Sequence, residues 1–455
     1  MTDCAAKSGP GRRIAFSLML LAASLPMLTI RSADPDRGIA DFPGLSVESD
    51  WPWWRGPYRN GWAAANLQFP LRWSESENVA WKAALPGRGH SSPIVVGNQV
   101  VVATADMSKQ RQFILSLDRR TGMPRWETQI SQGGFPAQNH PKNTEATPTV
   151  ASDGQRLFAT FFHHEKIQLT ALSPDGKILW QQDLGPFNPQ RYKYGYAPSP
   201  LIYRNLVIVA AEHDGESFIT ARDRQTGAQI WRTPRPSNIT FSSPVVAHVA
   251  SRDQLLLSGS EMVASYDPVD GRQLWTAPGT TAATCGTMVW EGDLVVASGG
   301  YPKAETLAVR ADGSGTVLWT NPQKCYEQSM LAYQGHVYAL TDNGVMYCWR
   351  INDGKEMWKH RLKGPVSSSP VLAGGHIYWA NEEGTWYVFK PNPSRFELVA
   401  ENKLLDEAFA SPAAVANIED GASGASTSAT DGRLFIRTAT GTGAARKEFL
   451  FCIGK

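Results

Sequence analysis

Short apolar runs that alternate with polar residues recur along almost the whole chain. Typical runs are Gln99-Val-Val-Val-Ala-Thr and His336-Val-Tyr-Ala-Leu, and most are bounded by Gly, Asn or Asp. Alternation with a period of two, interrupted by turn residues, predicts short β-strands. The 40 Gly and 30 Pro among the 455 residues agree with an ordered, turn-rich protein. We therefore expect an all-β fold.

A turn motif that ends in tryptophan repeats along the chain. It reads DRRTGMPRW at 118–126, DRQTGAQIW at 223–231 and DPVDGRQLW at 267–275. Looser copies end at Trp180, Trp319 and Trp358, and a degenerate copy ends at Leu398. Gly provides the positive φ angle of such a turn, and the acidic side chain can accept backbone N–H groups there.

A second repeated element, Ser-Pro or an equivalent pair, opens an apolar run after each turn motif. It occurs eight times, at Ser92-Pro93, Thr147-Pro148, Ser199-Pro200, Ser243-Pro244, Thr287-Met288, Ser329-Met330, Ser369-Pro370 and Ser411-Pro412. Each unit thus contains four short strands and recurs with a period in the forties or low fifties, which is typical of a propeller blade. A ring of blades would bury both faces of each sheet, with the Trp between neighbouring sheets. The repeats predict an eight-bladed β-propeller.

The two ends of the repeat region complement each other. The run Phe449-Leu-Phe-Cys452 matches Val345-Met-Tyr-Cys348, but no Trp follows it before the chain ends. Trp81 stands at the usual distance before the first Ser-Pro and supplies the missing residue. We expect the N-terminal strand to complete the eighth blade, so that residues 78–455 form one propeller with no second domain.

The N-terminal 77 residues divide into two predicted segments. Residues 1–33 have the layout of an export signal, since Arg12 and Arg13 lead into an apolar run from Ile14 to Leu28. Residues 34–77 form an arm that contains WPWWRGPYRNGW at 51–62. Because free tryptophans would expose much apolar surface, we expect this stretch to pack as a clasp, across the outside of the first and last blades or as a plug in the channel. Substitution of Trp53 and Trp54 by alanine should then reduce stability before it reduces binding.

Charge and cysteine content exclude several classes of protein. The formal net charge is +2, and without residues 1–33 it is about −1, so nothing favours nucleic acid or anionic membranes. The sequence after residue 33 has no apolar segment long enough to span a membrane, and we expect a monomer. Its four cysteines contain no CxxC pair, which argues against metal-cluster and thioredoxin-like sites.

Residues 51–455 resemble the secreted PQQ-like β-propeller repeat proteins common in planctomycetes and related bacteria. The resemblance lies in the Asp-x-x-Thr-Gly-x-x-x-Trp repeats, in WPWWRGPYRNGW, and in the phrases GRGHSSPIVV and FELVAENKLLDEAFASPA. That family shares its type of propeller with the pyrroloquinoline quinone (PQQ) dehydrogenases and with a lipoprotein of the outer-membrane barrel-assembly machinery. The resemblance implies the fold, whereas most family members lack an established activity.

A ligand site is expected at the funnel, where loops lead into the innermost strands. The two longest of these loops are adjacent, and loops of the first and sixth blades face them. The candidate ligand-binding residues are Arg88, His90, His140, Asn143, Glu145, Tyr194, Tyr196, Lys324 and Glu327. These groups either surround a ligand pocket or pair with one another and cap the funnel.

The resemblance also raises PQQ as a cofactor. Enzymes of that kind hold calcium through carboxylate and amide oxygens, use an Asp base, and place the flat cofactor between a Trp and a vicinal disulfide. Asn143 and Glu145 have suitable oxygen atoms. However, the chain has no Cys-Cys pair, and the funnel candidates include neither Trp nor Asp.

The favoured interpretation is an exported, non-catalytic propeller, periplasmic or extracellular, that binds a protein, glycan or small ligand at its funnel face. The first alternative is an alcohol or sugar dehydrogenase dependent on PQQ and calcium. The second is an outer-membrane protein assembly factor. Cys4 precedes the apolar run and so cannot carry a lipid anchor, which counts against the second alternative.

Overall fold

Each copy of the sequence repeat folds as one antiparallel sheet of four strands. The computed structural model describes residues 38–417 and 431–454, and within these ranges the strands form eight such sheets. The predicted all-β, eight-bladed propeller is therefore confirmed. The predicted export signal lies outside the described residues.

The blades follow one another in chain order, and β1 (Val79–Leu85) precedes them all. Blades one and two contain β2 (Ile94–Val96), β3 (Gln99–Asp106), β4 (Arg111–Asp118), β5 (Pro124–Gln132), β6 (Ala151–Ser152), β7 (Leu157–His163), β8 (Lys166–Leu172) and β9 (Ile178–Pro186). Blades three and four contain β10 (Leu201–Tyr203), β11 (Leu206–Ala211), β12 (Ser217–Asp223), β13 (Gln229–Arg235), β14 (Val245–Val249), β15 (Arg252–Gly259), β16 (Met262–Tyr266) and β17 (Gln273–Pro278).

The second half of the ring repeats this arrangement. Blades five and six contain β18 (Val289–Glu291), β19 (Leu294–Gly299), β20 (Glu305–Arg310), β21 (Val317–Asn321), β22 (Leu331–Tyr333), β23 (His336–Leu340), β24 (Val345–Arg350) and β25 (Glu356–Arg361). Blades seven and eight contain β26 (Val371–Ala373), β27 (His376–Ala380), β28 (Thr385–Phe389), β29 (Leu398–Lys403), β30 (Ala413–Ala416), β31 (Gly432–Thr440) and β32 (Lys447–Ile453), with a 3₁₀ turn at Gly443–Ala445.

The two middle strands of a blade form most of the core. Every residue of β11 is buried, whereas only two of the seven residues of the outer strand β13 are buried. The reason is that neighbouring blades cover both faces of a middle strand, while an outer strand borders solvent. The apolar core is thus a series of layers between successive sheets.

The tryptophan motif joins each blade to the next. Trp126 of blade one donates its indole N–H to the carbonyl of Pro174 in the turn of blade two, at 3.0 Å. Gly176 of that turn has φ +86°, and a Cβ there would lie 2.6 Å from the Trp126 ring. The turn therefore requires glycine both for its backbone conformation and for its contact with the indole.

The N-terminal strand closes the ring. β1 pairs antiparallel with β32, and Trp81 lies opposite Cys452. Trp81 also donates to the carbonyl of Arg119 at 3.0 Å and covers Gly122, as Trp126 does with Pro174 and Gly176 of the next blade. The predicted closure is confirmed, and it makes the first and last blades depend on strands from opposite ends of the chain.

The segment 51–62 crosses one end of the central channel, and we call it the plug. Its backbone bonds to Val95 of blade one, to Ser152 of blade two and to Leu372 of blade seven. Its side chains reach Ile202 in blade three and Met330 and Pro370 beside blades six and seven. Contacts with blades on all sides of the ring require the segment to lie across the axis, which is the second of the two positions expected.

Two buried arginines hold the plug. Arg55 donates to the carbonyls of Pro370 at 2.6 Å, Met330 at 2.8 Å and Asn60 at 3.0 Å. Burial without a paired carboxylate lowers its pKa to about 9. Arg59 has positive φ, as Arg55 does, and places its guanidinium over the ring of Trp53 at 4.5 Å. The arginines satisfy strand-end carbonyls that the channel would otherwise leave unpaired.

Candidate functional site

A ring of hydroxyl groups surrounds the channel where the innermost strands begin. We call it the hydroxyl ring, and its members are Ser92, Thr149, Ser199, Ser243, Thr287, Ser329, Ser369 and Ser411. Seven of these eight hydroxyls, all within the described ranges, accept the backbone N–H of the preceding or following ring member at 2.8–3.1 Å. The oxygen of Thr287 instead accepts the indole N–H of Trp54 at 2.8 Å. The serines of the repeat thus link the blades to one another.

In blade two the hydroxyl ring corrects the sequence assignment. The Thr-Pro pair had suggested Thr147, but the hydroxyl that accepts the N–H of Ser92 belongs to Thr149. Thr147 instead contacts Asn143 and Thr144 in its own loop. The repeat is therefore displaced by two residues at this blade.

A second ring lies on the funnel side of the first, and we call it the lining ring. Each blade contributes one side chain, two residues before its hydroxyl, and these are His90, Thr147, Ala197, Phe241, Cys285, Glu327, Ser367 and Phe409. All of them border one cavity. The spacing follows from extended backbone, in which residues i and i+2 point to the same side.

The plug forms the floor of this cavity. The indole of Trp54 lines it, together with five members of the hydroxyl ring, namely Ser92, Thr149, Ser199, Ser243 and Ser369. The cavity volume is about 170 Å³. The channel is therefore a closed-bottom funnel with an aromatic floor.

Five of the nine residues predicted for the site line this cavity. They are His90, His140, Asn143, Tyr194 and Glu327. The ring of His90 stacks on Phe409 at 4.4 Å between centroids, and Tyr194 stacks on Phe241 at 6.1 Å. Burial, with Arg88, Arg446 and Arg437 nearby, lowers the pKa of His90 well below its usual range. His90 therefore contributes a neutral aromatic wall.

The other four predicted residues lie outside the lining. Arg88 donates to the carbonyl of Pro141 at 2.9 Å, and Lys324 pairs with Asp342 at 3.2 Å. Glu145 accepts from Asn139 at 3.0 Å. Tyr196 is buried and donates to the carbonyl of Ala210 at 2.9 Å. Tyr196 is therefore a core residue, because its side chain points towards strand β11 and away from the cavity.

The acidic side of the cavity is balanced by one lysine. Lys142 lies 2.7 Å from Glu382 and 3.6 Å from Glu327. The hydroxyl of Ser367 contacts both carboxyl groups, although it has only one proton to donate. Burial raises the pKa of Glu327, against the opposing effects of Ser367 and Lys142. A proton held on Glu327 would let Ser367 bond to both groups.

Cys285 and His90 both line the cavity. Burial, with Glu327 and Asp342 nearby, raises the pKa of the Cys285 thiol well above its usual range. The Nε2 atom of His90 has no hydrogen-bond partner among the described residues. The four described cysteines are free thiols, so Cys285 and Cys325 form no disulfide here, and Cys348 and Cys452 are buried.

Sequence reasoning missed several lining residues, above all Trp54 and Phe409. Trp54 gave no local signal, because only the path of the plug across the channel brings it to the cavity. Phe409 and its seven equivalents did have a signal, namely a fixed distance of two residues before the hydroxyl of the repeat. Aligning the repeats and taking the residue two positions before each hydroxyl would have identified the lining ring.

Comparisons with known proteins agree with this architecture. Residues 110–332 and 303–392 match the protein family described as outer membrane protein assembly factor BamB. A relative with that name, from Burkholderia pseudomallei (strain K96243), is 23% identical over 359 residues, which is 68% of this chain and 87% of the relative.

Two solved structures show the same fold. A europium-containing methanol dehydrogenase superposes with a TM-score of 0.62 at 11% identity, covering 86% of this chain and 90% of the enzyme. BamB from Moraxella catarrhalis superposes with a TM-score of 0.55 at 13% identity, covering 82% of this chain and 96% of that protein. The family match spans more than half of the sequence, and the chain belongs to the family described as outer membrane protein assembly factor BamB.

Proposed function

We propose that this protein is an exported, non-catalytic propeller that binds its ligand in the funnel cavity. One observation carries the proposal. Among the described residues, the five hydroxyls of the hydroxyl ring that reach the cavity accept backbone N–H groups but have no protein acceptor for their own protons. A self-paired cap would satisfy such donors, whereas a ligand pocket keeps a few convergent polar groups available.

Family membership supports a role in outer-membrane protein assembly, which is the finer form of this proposal. The relatives carry that activity in their names, and a protein partner in the cell envelope follows if the function is shared. In residues 38–417 and 431–454 no helix has the length and hydropathy needed to cross a membrane. The funnel face, with Tyr194 and Tyr301 exposed near the cavity, is the surface we propose for the partner.

A cavity-filling substitution tests the proposal. Ala197→Trp places an indole in the cavity, and Ile230→Trp places one on an exposed outer strand as the matched control. We expect Ala197→Trp to reduce capture of detergent-solubilised outer-membrane components about tenfold, because pocket contacts dominate binding energy. Ile230→Trp should capture them as the wild type does. Mass spectrometry then identifies whether proteins or glycans are captured, and equal capture by all three proteins would refute the cavity proposal.

The dehydrogenase alternative has one observation in its favour. Trp54 supplies the flat indole that the sequence did not place at the funnel. The remaining residues fit the cofactor poorly. PQQ carries three carboxylates, but Lys142, the cation among the described lining residues, already pairs with Glu382 and Glu327. The described residues also contain no group of three His, Cys, Asp or Glu side chains that could hold a metal ion.

We therefore expect PQQ with calcium to leave the melting temperature of the purified protein unchanged. The measurement is a thermal-shift titration of each component alone and of both together, with dye-linked oxidation of methanol and glucose followed in parallel. A stoichiometric upward shift that Trp54→Leu abolishes would support the dehydrogenase instead. Ligand binding raises apparent stability by mass action, so tight binding of the cofactor would raise the melting temperature measurably.

A further inference from the structure

We infer that the funnel cavity binds a single pyranose ring, either a free sugar or the end of a glycan chain. This inference rests on the proposed function and names the chemical class of its ligand. Three features of the cavity carry it, namely its flat aromatic surfaces, its uncommitted hydroxyl donors and its balanced charge.

The aromatic surfaces are arranged to hold a flat ring. Trp54 forms the floor, and Phe241 and Phe409 enter from blades four and eight, which are diametrically opposed in a ring of eight. His90 lies stacked against Phe409 and extends the same wall. The C–H faces of a pyranose pack well on aromatic rings of this kind, so each of the two faces of the sugar would find an aromatic surface in the cavity.

The hydroxyl ring distinguishes a sugar from an apolar ligand. The five members that reach the cavity are each at least nine-tenths buried, with Thr149 2% and Ser243 7% exposed. Their protons have no protein acceptor among the described residues, and an aromatic side chain in the cavity would leave all five unpaired and desolvated. A sugar hydroxyl both accepts and donates hydrogen bonds. It can therefore accept the protons of the hydroxyl ring and donate its own proton to an oxygen of Asn143 or Glu327.

The charges disfavour an ionic ligand. Lys142 is already paired with Glu382 and Glu327, and Ser367 bridges the two carboxyl groups. Burial raises the pKa of Glu327 and so disfavours a further negative charge beside it. A buried ligand charge would therefore meet no free counter-ion on the lining that the structure describes, whereas a neutral sugar requires none.

The test uses defined probes on the full-length protein. Saturation-transfer NMR and calorimetry would be run with the methyl glycosides of glucose, galactose, mannose and N-acetylglucosamine, and with indole and p-cresol as mimics of protein side chains. We expect at least one glycoside to bind, with its ring protons saturated by the protein. Trp54→Leu should weaken that binding about tenfold, the loss expected for a central aromatic contact. Ala197→Trp should abolish it, and Ile230→Trp should leave it unchanged.

Three results would overturn the inference. The first is that no glycoside binds, and the second is that Ala197→Trp leaves glycoside binding intact. The third is that indole or p-cresol binds more tightly than every glycoside and displaces it, which would assign the cavity to an aromatic side chain of a polypeptide. If Ala197→Trp still reduces the capture of envelope components, the proposed function stands without the sugar inference. If Ala197→Trp leaves that capture unchanged, both the proposed function and the sugar inference are refuted. Unchanged melting of Ala197→Trp would show that it is folded.

Discussion

Replacing Trp53 by alanine is expected to lower the free energy of unfolding by about 3–5 kcal/mol, the usual cost of truncating a buried tryptophan. Trp53 is 2% exposed, packs edge-on against Phe42 at 5.6 Å, and lies beneath the guanidinium of Arg59. Its removal leaves a cavity under the plug and deprives a buried cation of its aromatic partner. Chemical denaturation followed by far-UV circular dichroism measures the change.

Trp54 is the matched control, because it is the next residue in the same segment. Its indole is only partly buried, lines the funnel cavity and makes one hydrogen bond, to Thr287 at 2.8 Å. Trp54→Ala should therefore cost about 1–2 kcal/mol, as expected for one hydrogen bond and a half-buried ring, and should impair ligand binding more than folding. Equal losses of stability in the two variants would contradict this assignment of Trp53 to folding and Trp54 to ligand binding. The assignment replaces the expectation that both residues act mainly in packing.

Replacing Trp81 by alanine is expected to open the ring at blade eight. Trp81 is 8% exposed, contacts Phe435 at 5.8 Å and bonds to the carbonyl of Arg119. Strand β1 has no short covalent connection to β32, so loss of about 3–5 kcal/mol of packing at Trp81 should let it detach before the rest unfolds. Cys452, buried opposite Trp81, should then become reactive towards a thiol reagent under native conditions.

Cys348 provides an internal control for this experiment. It lies opposite Trp358 as Cys452 lies opposite Trp81, and burial raises the pKa of both thiols to about 12. In Trp81→Ala, Cys348 should stay protected while Cys452 is labelled, with the modified residue identified by peptide mass spectrometry. In Trp358→Ala, Cys348 should be labelled less, because a tight turn joins β24 to β25. Equal labelling of the two cysteines in Trp81→Ala would indicate global unfolding and refute local opening.

Much of the propeller followed from the sequence because its repeats are local. Asp118 accepts the backbone N–H groups of Arg120 and Thr121 in its turn, and Gly122 provides the positive φ, so a nine-residue motif marks the boundary of a blade by itself. Trp81 could be assigned to the last blade because the final repeat lacked its tryptophan. Both inferences depend on residue types whose conformational roles are narrow.

The site was less predictable, since it is built from residues far apart in sequence. His90 and Glu327 were found because their loops lead into the funnel, but Tyr196 lies in an equally suitable loop and points into the core. Whether a loop side chain faces a cavity or the protein interior depends on the turn of a few backbone angles. No periodic pattern constrains those angles.

By itself, the sequence determined the all-β class, the number of blades, the closing strand and the structural purpose of the repeated Trp and Gly, because each follows from a repeat of about fifty residues or from the one place where that repeat is incomplete. Only the tertiary structure decided that the plug crosses the channel, that Trp54 forms the floor of a cavity while Trp53 is buried, and that five serine and threonine residues of the hydroxyl ring line the same cavity. The physical reason is that these features arise where eight separate blades and one N-terminal segment meet. A site assembled from so many distant residues takes its geometry from closure of the ring and not from any local preference of the chain.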